Sequence, residues 1–148
     1  MIKQIKKVMA FGTFDILHQG HKYFLQQAKK YGNYLIVIIA RDKTVKQVKG
    51  KLPDTQEKQR KQAIIKLNLA DKVALGNLKN KYVVIKKFKP DIICLGYDQK
   101  YFVSQLKNEI KKLKLNIKII RLKPYKAHKY KTSIIKNAKI KKIQKEKT

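Results

Sequence analysis

Two histidines three residues apart, His18 and His21, are the side chains of this chain best suited to phosphate chemistry. They follow a short apolar run, Val8–Phe11, and a turn at Gly12. Apolar residues then recur near a 3.6-residue period, which predicts a strand followed by a helix. The first N–H groups of a helix and the positive end of its dipole attract anions. We therefore expect both imidazoles to face one phosphate chain.

Two other interpretations of the histidines remain open. In a simple capped helix start, His18 would be a hydrogen-bonded core residue and Gly20 would ease the turn. A closed zinc site would need four ligands, but the only other histidine is His128 and the only cysteine is Cys94. Carboxylates would have to supply the missing ligands, and the chain has few of them. We favour the phosphate site and predict no protein-bound metal centre.

Length and hydropathy predict a single domain, residues 1–148. The longest apolar stretch, Leu35–Ala40, is far shorter than the roughly 20 residues of a membrane span. The amino-terminal run is too short for a secretory signal. We therefore expect a cytoplasmic protein with no membrane partner. Cys94 lies in an apolar run and is predicted to be a small buried residue.

The formal charge of +29 is the second unusual feature of the chain. Basic surfaces bind nucleic-acid backbones without regard to sequence. Only three of the 38 basic residues are arginine, however, and the lysines run along nearly the whole chain. Phosphate recognition favours the planar fork of arginine. We therefore interpret the charge as background composition that attracts polyanionic substrates and, nonspecifically, RNA or DNA.

Apolar runs alternate with helix-compatible stretches along most of the chain. Strands are predicted at Val8–Phe11, Leu35–Ala40, Lys72–Leu75, Ile92–Leu95 and Ile117–Leu122, and helices at His21–Tyr31, Thr55–Leu67, Lys81–Phe88, Gln99–Leu113 and Thr132–Lys145. This pattern predicts an α/β fold, a doubly wound, Rossmann-like parallel five-stranded sheet with helices on both faces. Ligands of such sheets bind beyond the carboxyl ends of the strands.

The segment Lys43–Asp54 contains Gly50 and Pro53 and is predicted to be a mobile basic loop. It is either a lid whose lysines meet a nucleoside triphosphate or a solvated linker. Asp54 or Thr55 is then expected to cap the next helix.

A second break, Lys126–Lys131, precedes the last predicted helix. Thr132 and Ser133 stand where an N-cap belongs, so their hydroxyls either cap the helix only or also bind phosphate oxygens. The tail, Lys139–Thr148, is predicted to be a frayed and solvated helix end.

The histidine segment resembles the HxGH signature of the nucleotidyltransferase superfamily, in the form GTFDxxHxGH of its cytidylyltransferase-like branch. The matching residues are Gly12, Asp15, His18, Gly20 and His21. Three further segments, Ala40–Val45, Gln56–Arg60 and Pro90–Gln99, resemble the archaeal FAD synthase branch. The related glycerol-3-phosphate cytidylyltransferases carry an arginine-led, hydroxyl-rich segment near the carboxyl end, of which only Thr132 and Ser133 are matched here.

The resemblance implies attack by the terminal phosphate of FMN on the α-phosphorus of ATP, giving FAD and pyrophosphate without a covalent enzyme intermediate. A divalent ion, Mg²⁺, would accompany the triphosphate, and the enzyme would be a homodimer. Transfer from CTP to glycerol 3-phosphate or another phosphorylated alcohol is the alternative. A nucleotide sensor or a nucleic-acid-binding domain on this fold would not need the histidine pair.

Site residues also follow from the resemblance. The catalytic set is His18, His21 and Lys46, and the nucleotide-binding set is Gly12, Thr13, Phe14, Asp15, Gly20, Arg60, Gly96, Asp98, Thr132 and Ser133. Gly12 and Gly20 would let the backbone approach phosphate closely. Arg60 either binds the β- and γ-phosphates with Lys46 or pairs with Glu57 on its own helix. Asp98 either lies near the base and ribose or forms a turn.

Overall fold

The computed structural model describes residues 4–100 and 103–124, and this part of the chain forms one parallel sheet. Its strands are β1 (Lys7–Gly12), β2 (Tyr34–Ile39), β3 (Lys72–Leu75), β4 (Ile92–Leu95) and β5 (Lys118–Arg121). Its helices are α1 (Gln19–Lys29), α2 (Asp42–Lys49), α3 (Glu57–Lys66), α4 (Val83–Phe88) and α5 (Val103–Lys112). The strand order is β3-β2-β1-β4-β5, and every neighbouring pair is parallel.

Helices cover both faces of the sheet, which confirms the predicted fold class. Successive side chains of a strand point to opposite faces, so Val8 and Ala10 of β1 pack with α1 and α3, whereas Met9 packs with α4 and α5. A strand covered on both faces is apolar throughout, and all four residues of β4 are buried. Cys94 lies in β4, and burial raises the pKa of its thiol to about 12, as expected for a packing residue.

The observed elements lie close to the predicted ones except in the segment after β2. The predicted loop Lys43–Asp54 is wrong over most of its length, because α2 continues to Lys49 and ends at Gly50, which has a left-handed φ of 82°. Only the remainder joins α2 to α3. The expected capping of α3 by Asp54 or Thr55 is also wrong, because its N-cap is Gln56.

Helices α2 and α3 cap each other through their first acidic residues. The Asp42 N–H donates to Glu57 Oε1 at 2.9 Å, and the Glu57 N–H donates to Asp42 Oδ2 at 3.2 Å. Arg41 Nε lies 2.7 Å from Glu57 Oε2, and Arg60 Nη2 lies 2.6 Å from Asp42 Oδ1. We call these four residues the reciprocal cap. Each carboxylate satisfies a main-chain donor at the positive end of the other helix, which stabilises two helix starts that lack a local side-chain cap.

Several predictions fall on residues that the structure does not describe. These are the helix Thr132–Lys145, the break Lys126–Lys131, the hydroxyl residues Thr132 and Ser133, and the tail Lys139–Thr148. Among the residues that it does describe, no helix has the length and apolar character needed to cross a membrane.

Candidate active site

The loop between β1 and α1, residues 13–18, is tightly constrained. We call it the phosphate loop after the ligand that we propose for it. Phe14 and Ile16 have left-handed backbone, with φ of 54° and 53°, which residues other than glycine rarely adopt. A β-carbon on Gly12 would come within 2.5 Å of the buried Phe14 ring. The position of the Phe14 ring is therefore a sufficient reason for glycine at position 12. The close approach of phosphate expected for Gly12 stays a prediction.

The two histidines form the start of α1. His18 is the N-cap, and its Nδ1 accepts the Gly20 N–H at 3.1 Å. The Nδ1 of His21 accepts the His18 N–H at 3.2 Å. The pair thus makes the two reciprocal bonds of a capping box with imidazoles in place of the usual hydroxyl and carboxyl groups. Their rings stack with centroids 3.8 Å apart, and the Phe14 ring meets His21 edge-on at 5.4 Å.

These hydrogen bonds fix the tautomer of both rings. An Nδ1 atom that accepts an N–H carries a lone pair, so the proton of the neutral imidazole is on Nε2. His18 and His21 therefore each present an Nε2–H as a donor. They do so at the positive end of α1, whose first turn contains no acidic residue. The arrangement suits the oxygens of a phosphate chain.

Both imidazoles are held in the neutral form. Burial lowers the pKa of His18. The pKa of His21 is lowered to about 3, first by burial and then by His18, while Asp15 raises it and Lys49 lowers it further. Both rings are therefore neutral at physiological pH, in keeping with the capping bonds that occupy both Nδ1 atoms.

The structure singles out Lys49 as a lysine near the histidines. Its charge acts on the pKa of His21. The predicted catalytic residue, Lys46, lies one turn earlier on the same helix, and both lysine side chains are exposed. Sequence reasoning missed Lys49 because it treated this segment as a loop, in which no lysine is oriented more favourably than another.

Arg60 occupies a different position from either one expected. Its side chain is fully buried, with Nη1 donating to Thr13 O at 2.6 Å and Nε donating to Thr55 O at 2.9 Å. Nη2 donates to Asp42, so all three guanidinium nitrogens are hydrogen-bonded to protein acceptors. The expected phosphate contact does not fit this burial, and the alternative pair with Glu57 is wrong because Glu57 contacts Arg41. Arg60 ties the phosphate loop to the reciprocal cap.

The carboxylate of Asp15 likewise makes hydrogen bonds within the protein. It is buried, and its two carboxylate oxygens accept the N–H groups of Asp54 at 2.9 Å and Thr55 at 3.0 Å. These bonds hold the linker between α2 and α3 against the loop that precedes α1.

A cleft opens at the carboxyl ends of β1, β2 and β3, next to the phosphate loop. Phe11 and Ile38, which belong to the layer of α4 and α5, contribute apolar lining. The polar lining consists of Thr13, Arg41, Thr44, Asn77, Lys81 and Gln99. Of these, only Thr13 was among the predicted site residues. Two cationic side chains of the cleft, Arg41 and Lys81, and several hydrogen-bonding groups therefore lie beside the phosphate loop.

The loop after β4 brings two further predicted residues, Gly96 and Asp98, to the same edge of the sheet. A β-carbon on Gly96 would make only ordinary contacts, the nearest at 3.5 Å from Gln99. Asp98 is exposed, and its charge adds to burial in raising the pKa of Tyr97. The structure therefore brings Gly12, Gly96 and the start of α1 together around one crevice, as a doubly wound sheet requires.

Protein ligands for a metal ion are scarce in this region. The described residues contain no group of three or more histidine, cysteine, aspartate or glutamate side chains suited to hold one. The carboxylates of Asp15 and Asp42 already accept protein donors.

Comparisons with known proteins agree with the geometry. Residues 9–138 match the family model described as cytidylyltransferase-like. An FAD synthase of Thermococcus sibiricus is 43% identical over 135 residues, covering 90% of this chain and 88% of the relative. An FAD synthase of Aciduliprofundum boonei is 42% identical over 119 residues, covering 80% and 79%.

Solved structures show the same fold. The crystal structure of a lipopolysaccharide core biosynthesis protein from Thermoplasma volcanium has a TM-score of 0.77 and 41% identity, over 82% of this chain and 99% of that one. A pantoate-β-alanine ligase from Francisella tularensis, complexed with β-γ ATP and β-alanine, shares the fold with a TM-score of 0.58 and 19% identity, over 93% and 70%. The resemblance carried by the HxGH motif is thus confirmed, and the chain belongs to the cytidylyltransferase-like family.

Proposed function

We infer that this chain is a nucleotidyltransferase that transfers the adenylyl group of ATP to FMN, giving FAD and pyrophosphate. The observation that carries the inference is the stacked pair of His18 and His21, whose Nε2–H donors lie at the start of α1. The relatives named FAD synthase, matched over most of their length, support the choice of substrates.

In this reaction an oxygen of the FMN phosphate attacks the α-phosphorus of ATP. The bond to the oxygen that bridges the α- and β-phosphates breaks, and pyrophosphate leaves with that oxygen. Both the attacking and the departing groups are anions, so no proton has to be transferred. His18 and His21 donate hydrogen bonds to the phosphate oxygens on which charge develops, and the fixed helix start keeps the reactants in line.

The surrounding residues divide between the two substrates. We propose that Lys49, with Lys46 one turn away, meets the β- and γ-phosphates. The proposed nucleotide contacts lie at the end of β1, at the start of α1 and in the loops after β1 and β4, and they are Gly12, Thr13, Phe14, Gly20, Gly96 and Asp98. Thr132 and Ser133 are retained from the sequence pattern. Arg41 and Lys81 are suited to the FMN phosphate because both line the cleft beside the phosphate loop. Mg²⁺ arrives with ATP as part of the substrate.

A substrate panel tests the proposal. Purified protein is incubated with ATP or CTP and with FMN or glycerol 3-phosphate in the presence of Mg²⁺, and pyrophosphate release and FAD are measured. FAD formation from ATP and FMN is the expected result. Turnover of CTP with glycerol 3-phosphate, and not of ATP with FMN, would identify the alternative transferase. Light scattering on the same preparation tests the expected homodimer.

A further inference from the structure

Gln99 joins the carboxyl ends of two neighbouring strands through its side-chain amide. Its Oε1 accepts the Gly96 N–H at 2.8 Å, and its Nε2 donates to Phe11 O at 2.6 Å. Gly96 follows β4, and Phe11 belongs to β1, just before the phosphate loop. One amide therefore contacts both sides of the crevice where ligands of this fold bind.

The amide stands where the main-chain pairing of β1 with β4 has ended. The register between these strands extends only to Ala10 and Cys94, whereas β1 stays paired with β2 as far as Gly12. Gly12 O accepts the Ala40 N–H on the β2 side, so the carbonyl of the preceding residue faces β4. The Gln99 side chain donates to this carbonyl just beyond the last paired residues of β1 and β4.

A guanidinium from β5 holds the same loop from outside. Arg121 Nη1 lies 2.7 Å from Gly96 O and 2.9 Å from Gln99 O, and these distances suit its two N–H bonds. A third carbonyl, that of Tyr97, lies farther away at 3.4 Å. The loop is thus fixed between β1 and β5 by two side chains that are 22 residues apart.

We propose that Gln99 is a positioning residue that sets the distance between the β4 loop and the phosphate loop, and thereby the fit of the nucleoside. The proposal rests on the proposed function for the identity of the nucleotide. It rests on the geometry for the role of the amide. Gln99 also lines the cleft, so a change in its hydrogen bonding is transmitted directly to the site.

The isosteric variant Gln99→Glu gives a specific signature. A carboxylate accepts the Gly96 N–H but has no donor for Phe11 O, so two oxygens face each other. Protonation restores the donor, because a carboxylic acid has one O–H and one carbonyl oxygen. The facing carbonyl disfavours the charged form and raises the pKa of the new carboxyl above the ordinary value of about 4.3. Lowering the pH should therefore repair the variant.

The experiment measures ATP affinity by calorimetry for wild type and Gln99→Glu from about pH 8 to about pH 5, and compares the ratio of dissociation constants. At about pH 8 we expect Gln99→Glu to bind ATP about tenfold more weakly than wild type does, which is the scale of one charged group left without its partner. The ratio of the two dissociation constants should fall toward one at about pH 5. Gln99→Leu, which loses both bonds at every pH, should be weakened throughout.

The matched control is Gln26→Glu, the same change at an exposed position of α1, which should follow wild type at every pH. A ratio for Gln99→Glu that stays near one, or that does not change with pH, would overturn the positioning role. Wild type that binds ATP but makes no FAD from FMN would overturn the proposed function alone. Wild type that does not bind ATP would overturn both.

Discussion

The Nδ1 atom of His21 lies 3.2 Å from the main-chain nitrogen of His18 and accepts its N–H. The bond that helps to start α1 therefore also orients the imidazole and sets its tautomer. His18 is held in the same way by the Gly20 N–H. Each ring uses its Nδ1 atom for the helix start. We propose that the opposite nitrogen, which carries the proton, donates to substrate, so the two roles can be separated by mutation.

Replacing His18 by Asn should leave the fold intact and remove the chemistry. The Asn carboxamide oxygen stands at the same number of bonds from Cα as Nδ1, and Asn is a good N-cap, but no donor remains at Nε2. We expect turnover to fall by about two to three orders of magnitude, the scale of one lost transition-state donor. His18→Ala should lose the cap as well, at about 1 kcal/mol of unfolding free energy.

The measurements are FAD formation and urea unfolding of both variants. Near-normal turnover of His18→Asn would remove the Nε2–H of His18 from the mechanism. A loss of stability in His18→Asn as large as in His18→Ala would show that its amide does not reproduce the cap.

Acid should destabilise the protein through His21. Its pKa is lowered from 6.5 in the unfolded chain to about 3 in the folded protein. The neutral imidazole is preferred by the folded state, so stability is fully present above 6.5 and is lost as the pH falls toward 3. The slope from one such group is at most about 1.4 kcal/mol per pH unit.

The control is His21→Asn, which keeps an acceptor for the His18 N–H and has no titratable ring. Unfolding free energies from urea titrations at several pH values are compared for the two proteins. The variant should lose less stability than wild type on acidification below 6.5. Parallel pH profiles would mean that His21 is not held neutral by the fold.

Lys49 and Lys46 offer a matched pair on α2. Of these two lysines, Lys49 is the one whose charge acts on the pKa of His21. Lys49→Ala should therefore raise the KM for ATP about tenfold or more, as expected for the loss of a charge-assisted bond to phosphate. Lys46→Ala removes the same charge from the same helix and should have a smaller effect. Steady-state kinetics decide, and a larger effect of Lys46→Ala would restore the role predicted from sequence.

Arg60→Met should destabilise the protein by on the order of 3 kcal/mol, because the change leaves Asp42 without its buried partner and two main-chain carbonyls without donors. Lys58→Met on the exposed face of α3 is the control and should unfold like wild type. Urea unfolding measures both. Unchanged stability with a higher KM for ATP would instead support the phosphate contact first expected of Arg60.

The dependence on salt concentration should distinguish binding that is due to the overall positive charge from binding at the specific site. Binding to RNA or DNA should be indifferent to sequence and should weaken by orders of magnitude between about 50 and about 200 mM salt, because counterion release drives it. ATP binding should weaken less, since short hydrogen bonds add to the long-range attraction. Sequence-selective RNA binding that survives the higher salt would favour a nucleic-acid-binding function.

The sequence revealed the parts of the site whose partners are close in the chain. The first strand, the turn and the histidines lie within one short segment, so their spacing, together with the resemblance to the HxGH signature, predicts a phosphate site there. The sheet was equally accessible, because a short and fully apolar strand such as β4 is typical of a parallel sheet that is covered on both faces. Lys72–Leu75 and Ile92–Leu95 were predicted with their observed bounds.

The parts that could not be predicted depend on distant partners. Helix α2 has two β-branched valines and no local cap, and its first N–H is satisfied by Glu57, 15 residues away. Two of the three hydrogen-bond partners of Arg60, Asp42 and Thr13, lie 18 and 47 residues away. No pattern within a window of sequence contains such information, so Arg60 was assigned by charge type instead of by its burial.

The contact between Gly12 and Phe14 has a consequence for how this loop can evolve. Any side chain at position 12 meets the Phe14 ring, and the ring in turn contacts His21. A change to Ala at Gly12 alone is therefore penalised, whereas a smaller residue at Phe14 makes room for it. The two positions should therefore show strong epistasis, because the effect of a substitution at position 12 depends on the side chain at position 14.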